Sequence, residues 1–333
     1  ISSIFFLPKI GIYLFHILPA LILGFANIFL IKNIFDKENF QKKKIISYLS
    51  ILFFSFINIF FYRLAEHGTD RSGMILILIS IICLISLTNK YNLIKSKNQN
   101  NENLMKIIII LICFAATIKP YFLINFLFFF SFIYFKRTRK IFLDLFFTRT
   151  FYFCLTLIFF LLYYTFINSG CLVFPIKITC FENLSWSINK ELVTQTSIWF
   201  ELWSKGGANP NLVVDDRLEY ISGFNWVANW FDNYFFNKVL DFIVGVLFLS
   251  LIIFFIYFKK KKLGNVKIKN IFFIYFIILL LLLEWFFKHP TLRYGGYHLI
   301  ALVIFVPLSL KLSNINIDYN FFIKRSFIVI FLV

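Results

Sequence analysis

The sequence predicts an all-α fold, a polytopic transmembrane helix bundle with about nine to ten spans and interfacial helices in one outer loop. Three observations lead there. Of the 333 residues, 60% are apolar and 15% charged, and the mean hydropathy is +0.82; a soluble domain holds about 45–50% apolar and about 25% charged residues. The apolar residues form long Ile/Leu/Phe runs without period-two alternation, the mark of helices and not of an outer-membrane barrel. The charges collect between the runs, with their excess on one set of alternate loops. Such hydrophobicity also excludes disorder.

In order, the runs cover 10–31, 45–62, 74–88, 107–118, 121–135, 151–167, 239–258, 271–287 and 297–310, and a partial tenth opens at Ser326. Several approach the ~20 residues that cross a hydrocarbon core. The chain opens on Ile1 and closes inside an apolar run, which reads as a fragment lacking both termini. Residues 1–333 are expected to form a single integral membrane domain.

Net charge +18 and pI ≈ 9.6 suggest nucleic acid at first sight. The distribution argues against it. One set of alternate loops holds 23 Lys and Arg with 5 acids; the other holds 11 of each. The whole excess therefore lies on one face, which the positive-inside rule makes cytoplasmic. These are topology charges beside anionic lipid. The expected partner is membrane lipid, not nucleic acid, and the expected location is a membrane whose cytoplasmic face carries these loops.

Lys106 to Lys140 is read as two helices meeting at Lys119-Pro120, because proline disfavours helix at the residue before it and a hairpin keeps both basic flanks inside. Twelve residues at about 1.5 Å each span only roughly 18 Å, which predicts a tip below the outer surface with Lys119 at depth. A Lys119 that snorkels outward is the competing reading.

The longest stretch between spans, 168–238, is assigned to the outer face. It carries five of six Trp and seven of sixteen acids. Ile188, Leu192, Gln195, Trp199, Leu202 and Trp203 fall at helical spacing before Gly206-Gly207, and Phe224, Val227, Phe231 and Tyr234 repeat it. Two amphipathic interfacial helices fit. Its tryptophans, Trp199 and Trp203 included, form either a membrane-interface belt or platforms for a sugar or lipid headgroup. Cys171 and Cys180 are a candidate disulfide in an oxidising compartment.

Two short outer segments are dense in charge. Glu66, His67, Asp70 and Arg71 fall within six residues, either pairing with one another or offering a carboxylate base beside cations for an anion. In 288–298, Arg293 precedes Gly295-Gly296, so backbone N–H groups at the next helix start can join it in binding phosphate. Glu284 is expected to pair with Lys288 four residues on. His289 and His298 lack ligand spacing, and no Walker loop, G-x-S-x-G or G-x-G-x-x-G occurs; no metal or cofactor is expected.

Basic inner loops, the Thr117-Ile-Lys-Pro120 break, the 288–298 segment and the aromatic 168–238 loop together resemble bacterial GT-C-type membrane glycosyltransferases or allied uncharacterised polytopic families. The resemblance is architectural. It implies location in a bacterial inner membrane and transfer of a sugar from a polyprenyl-phosphate donor in cell-envelope glycan assembly, with an early outer-loop carboxylate as base. Glu66 and Asp70 are the carboxylates available for that role, and Arg71, Lys119, Arg293, His289, Trp199 and Trp203 the candidate substrate-binding residues. A polysaccharide polymerase or ligase, or a transporter, are the alternative readings. Few charges lie deep in the spans, which counts against conduction.

Overall fold

A computed structural model describes residues 16–62, 64, 70–90, 98–134, 136–209, 212–258 and 269–333, and among them it is all-helical. Among the described residues, eight helices are long and apolar enough to cross a membrane, as in a multi-pass membrane protein. The first four long helices are α1 (Ile17–Phe35), α2 (Lys37–Phe60), α3 (Asp70–Lys90) and α4 (Asn98–Ile118). A 3-10 helix (Pro120–Phe129) follows and runs into α5 (Phe130–Tyr134) and the basic α6 (Lys136–Leu145). Next come α7 (Arg149–Ser169), α8 (Lys190–Lys205), the single turn-and-a-half α9 (Arg217–Ile221), and α10 (Val227–Trp230), which continues through a π-helix (Phe231–Val239) into α11 (Leu240–Tyr257). The chain ends with α12 (Lys269–Lys288), α13 (Gly296–Ser313) and α14 (Tyr319–Leu332).

α3 is apolar all round and buried along almost its whole length, so it forms the bundle axis; a helix hydrophobic on every face belongs inside. α7 is the opposite case, with Tyr152, Phe153, Phe159, Phe160 and Tyr164 exposed.

Helix ends gather at two poles. At one pole Lys43 donates to Ser86 Oγ (3.1 Å), Lys44 to the Ile317 carbonyl (3.3 Å), Tyr319 to the Phe35 carbonyl (2.6 Å), and Tyr257 bonds Ser326 (2.8 Å). The other pole collects the start of α3 and the ends of α4, α8 and α12.

The break at Lys119 has the expected cause: α4 stops at Ile118 and Lys119 is extended (φ −149°, ψ 121°) ahead of Pro120. The chain then reverses. Tyr121 lies by His289 (6.5 Å between ring centroids) beyond the end of α12, while Tyr134 stacks on Phe273 (4.2 Å) near its start. The 18 Å arm is corrected. α4 begins at Asn98, not near Ile107, and its 21 residues reach about 31 Å. The return arm is wound mostly as 3-10 helix, which rises about 2.0 Å per residue, so Pro120–Tyr134 reaches roughly 27 Å. Both arms thus approach the ~30 Å of a hydrocarbon core.

Three residues per turn puts every third side chain on one line. Phe122, Asn125 and Phe128 form the buried line, and Phe126, Phe129 and Phe132 stack in series at 5.1 and 5.7 Å. α3 meets this arm at Gly73, where a Cβ would run into the Phe122 ring.

Within 168–238, Cys171 and Cys180 are joined by a disulfide. α8 starts at an Asn189 cap that accepts from the Glu191 N–H (2.9 Å) and ends at Gly206. Its buried residues are Val193, Leu202, Ser204 and Lys205, whereas Leu192 and Trp199 are exposed. The expected second interfacial helix is not separate. Val227 begins a helix that continues to Tyr257, and the π winding adds a residue per turn, keeping Trp230, Tyr234 and Val239 on the buried side.

Candidate functional site

Asp70 opens α3, where a negative charge suits the amino end of the helix dipole. Its Oδ1 accepts from Lys119 Nζ at 2.6 Å and its Oδ2 accepts from Arg293 Nε at 2.7 Å. The Asp70 side chain is 6% exposed, Lys119 21% and Arg293 41%. Three residues spread over 223 positions of sequence thus meet at one carboxylate. Both of its oxygens hold a charge-assisted bond, so Asp70 serves as the counter-ion that positions two cations. The trio keeps one net positive charge, and Arg293 commits only Nε to Asp70. Lys119 also lies over the Tyr294 ring (4.9 Å to its centroid). Burial pushes the Lys119 ammonium down from its ordinary value, and Asp70 opposes the shift.

Arg293 stands on a connection between α12 and α13 that indoles hold in place. Trp285 Nε1 donates to the Thr291 carbonyl (2.7 Å) and Trp230 Nε1 to the Pro290 carbonyl (2.8 Å). The Leu292 N–H donates to Tyr234 Oη (3.0 Å), and Ser204 Oγ lies 3.4 Å from Thr291 Oγ1. Gly295 then caps α13 with φ +101°, a left-handed conformation that side chains disfavour.

Rings surround this connection. His289 lies 5.4 Å from Tyr294 between centroids, Tyr121 6.2 Å from Tyr294, and Trp203 packs edge-on to Tyr294 at 5.9 Å. Desolvation pushes the His289 imidazole down to about 4; Glu201 opposes the shift, while Lys288, Lys205 and Lys119 add to it. It is therefore neutral near pH 7. Burial likewise raises the Tyr294 phenol above its ordinary value.

Glu201 of α8 borders the ring group. Its Oε1 accepts from Lys205 Nζ (2.7 Å) and lies 3.7 Å from Lys288 Nζ. Lys205 is buried; it also donates to the Ile221 carbonyl (2.6 Å) and faces the Trp226 ring (5.2 Å). The expected Glu284–Lys288 ion pair is corrected: Lys288 reaches across to Glu201, and Glu284 turns to the Tyr121 hydroxyl.

Of the sequence candidates, Asp70, Lys119, Arg293, His289 and Trp203 come together. Arg71 follows Asp70 but is buried elsewhere, its guanidinium 5.9 Å from the Phe61 ring centroid. Trp199 is exposed on α8 with Phe200 as its ring neighbour (5.3 Å). Glu66 and His67 lie outside the described residues. Sequence reasoning missed Tyr121, Tyr294, Trp230, Tyr234 and Trp285. The signals they carried did not point to a site: Tyr294 stands beside Arg293, Trp230 and Tyr234 lie in the aromatic 168–238 stretch, and Trp285 is the one tryptophan outside it.

Residues 2–300 match the family described as Domain of unknown function (DUF8201). The chain belongs to that family. No curated protein and no solved structure matches it. The DUF8201 match contains Asp70, Lys119, Glu201, His289 and Arg293, so the assembled cluster lies wholly inside the family's extent, whereas α14 lies beyond it.

Proposed function

We propose that this DUF8201 protein is a multi-pass enzyme of a bacterial inner membrane, similar to GT-C-type glycosyltransferases, that uses a polyprenyl-phosphate-linked sugar in cell-envelope glycan assembly. The observation that carries the reading is Asp70 holding Lys119 and Arg293 side by side with net positive charge at one pole. A phosphate fits such a pair because charge-assisted bonds to an oxyanion are strong. In this reading the eight long helices, the return arm and α14 form the bundle, the lysine-rich pole is cytoplasmic, and 168–238 faces outward.

The reaction follows from charge. An acceptor hydroxyl attacks the anomeric carbon, the carbon–oxygen bond to phosphate breaks, and its electron pair goes to the phosphate oxygen that Lys119 and Arg293 stabilise. The hydroxyl proton passes to a carboxylate. Asp70 has both oxygens engaged by cations, which leaves Glu66 as the sequence candidate for that acceptor. The test is glycan assembly in cells carrying Lys119→Ala or Arg293→Ala. Loss of assembly at normal protein levels is expected; intact assembly in both variants refutes the proposal.

A further inference from the structure

We infer that His289, Glu284, Tyr121, Tyr294 and Trp203 form a saccharide subsite, which holds the hydroxyl-rich body of a ligand whose phosphate lies on Lys119 and Arg293. The inference rests on the phosphate-sugar reading above and assigns the side of the cluster that the sugar occupies.

Two buried polar atoms point to it. His289 Nδ1 and Glu284 Oε2 have no hydrogen-bond partner, and a buried unsatisfied polar atom costs about 1–3 kcal/mol. They belong to one neighbourhood, since the Tyr121 hydroxyl interacts with Glu284 while its ring faces His289 at 6.5 Å. Both atoms are covered by their neighbours, so a sugar hydroxyl that satisfies them takes the place of a covering side chain. It donates to the carboxylate, and it serves the imidazole in either neutral tautomer because it both donates and accepts.

The surrounding surface suits the same ligand. Tyr294 touches Tyr121, His289 and Trp203, giving ring faces and edges for the C–H faces of a pyranose. Glu201, Lys205, Lys288 and Lys119 are the charged groups acting on His289, and the neutral imidazole contributes hydrogen bonding without further charge. Tyr294 joins the two halves: its neighbour Arg293 and the Lys119 above its ring belong to the anion side. The subsite therefore begins where the phosphate ends.

The test compares two kinds of water-soluble probe, bare citronellyl phosphate and citronellyl phosphate bearing a hexose, an N-acetylhexosamine or a pentose. Binding to the full chain in nanodiscs is read by calorimetry. Wild type is expected to bind at least one sugar-bearing probe about tenfold tighter than the bare phosphate, the worth of one or two good hydrogen bonds. His289→Ala, Glu284→Gln and Tyr121→Phe should each weaken sugar-bearing probes more than the bare phosphate and so reduce that preference, while Lys119→Met weakens all the probes. Three separate variants keep the test decisive if one of them fails to fold. If no sugar is preferred, or the preference survives in every folded variant, the saccharide subsite is refuted. If wild type binds neither kind of probe, or Lys119→Met changes neither affinity, the underlying phosphate reading falls as well.

Discussion

Asp70→Asn removes one charge and almost no volume from the centre of the cluster. Lys119 and Arg293 would then face each other as like charges across a neutral amide. Removing one member of a buried pair costs about 3–5 kcal/mol, but these cations are 21% and 41% exposed. Solvent screens the Arg293 share to below about 1 kcal/mol, so the expected loss is about 3 kcal/mol, most of it at Lys119. For a chain of this size each kcal/mol shifts melting by roughly 2 °C, which sets the drop near 6 °C. The assay is thermal unfolding of the full chain at fixed protein and detergent concentration. Asp70→Asn combined with Lys119→Met should recover about half of the loss, because the two changes share one interaction. A single variant melting within about 1 °C of wild type, or strict additivity in the double variant, would refute the counter-ion role.

Trp285→Phe and Trp230→Phe each delete one hydrogen bond to the connection carrying Arg293, for about 1–2 kcal/mol apiece. Both should weaken citronellyl-phosphate binding as well as stability, whereas Trp199→Phe on the exposed face of α8 changes neither. Gly73→Ala drives a methyl into the Phe122 ring and is expected to cost about 1–3 kcal/mol by overpacking; Phe122→Leu should relieve it in the double variant. For pH, His289 titrates about 4 in the folded protein against 6.5 ordinarily. Between those values the unfolded chain binds a proton that the folded chain refuses, so stability is full above about 6.5 and falls as pH drops toward 4. His289→Phe should flatten the melting profile across that window; a profile identical to wild type contradicts the assignment.

The bundle was legible because it depends on composition and on loop alternation, both of which survive without any knowledge of packing. The Lys119-Pro120 reversal was legible for a local steric reason. What lay hidden was winding. Nothing in Pro120–Phe129 announces three residues per turn over 3.6, yet that choice sets the reach of the return arm; the expected 18 Å of the first arm failed for a different reason, because the polar Asn98–Lys106 stretch is wound into α4 as well. The π winding over Phe231–Val239 was hidden likewise, and made an expected surface helix part of a long one. In the site, charge density identified Asp70 and Arg293 and the Lys119-Pro120 break identified Lys119, but not that one carboxylate would engage both cations. That depends on where the ends of α3, α4 and α12 fall. Trp230 and Trp285 were invisible as supports, since an indole that bolts a carbonyl reads in sequence like any other interfacial tryptophan.

The return arm carries a consequence for how this segment tolerates change. In an ordinary helix the sensitive positions drift around the axis and return after seven or eleven residues. Here Phe122, Asn125 and Phe128 lie on a single straight seam, with the phenyl stack of Phe126, Phe129 and Phe132 along another. Damage from substitution should accordingly beat every third codon across this stretch, a rhythm that would reveal the winding from growth data alone.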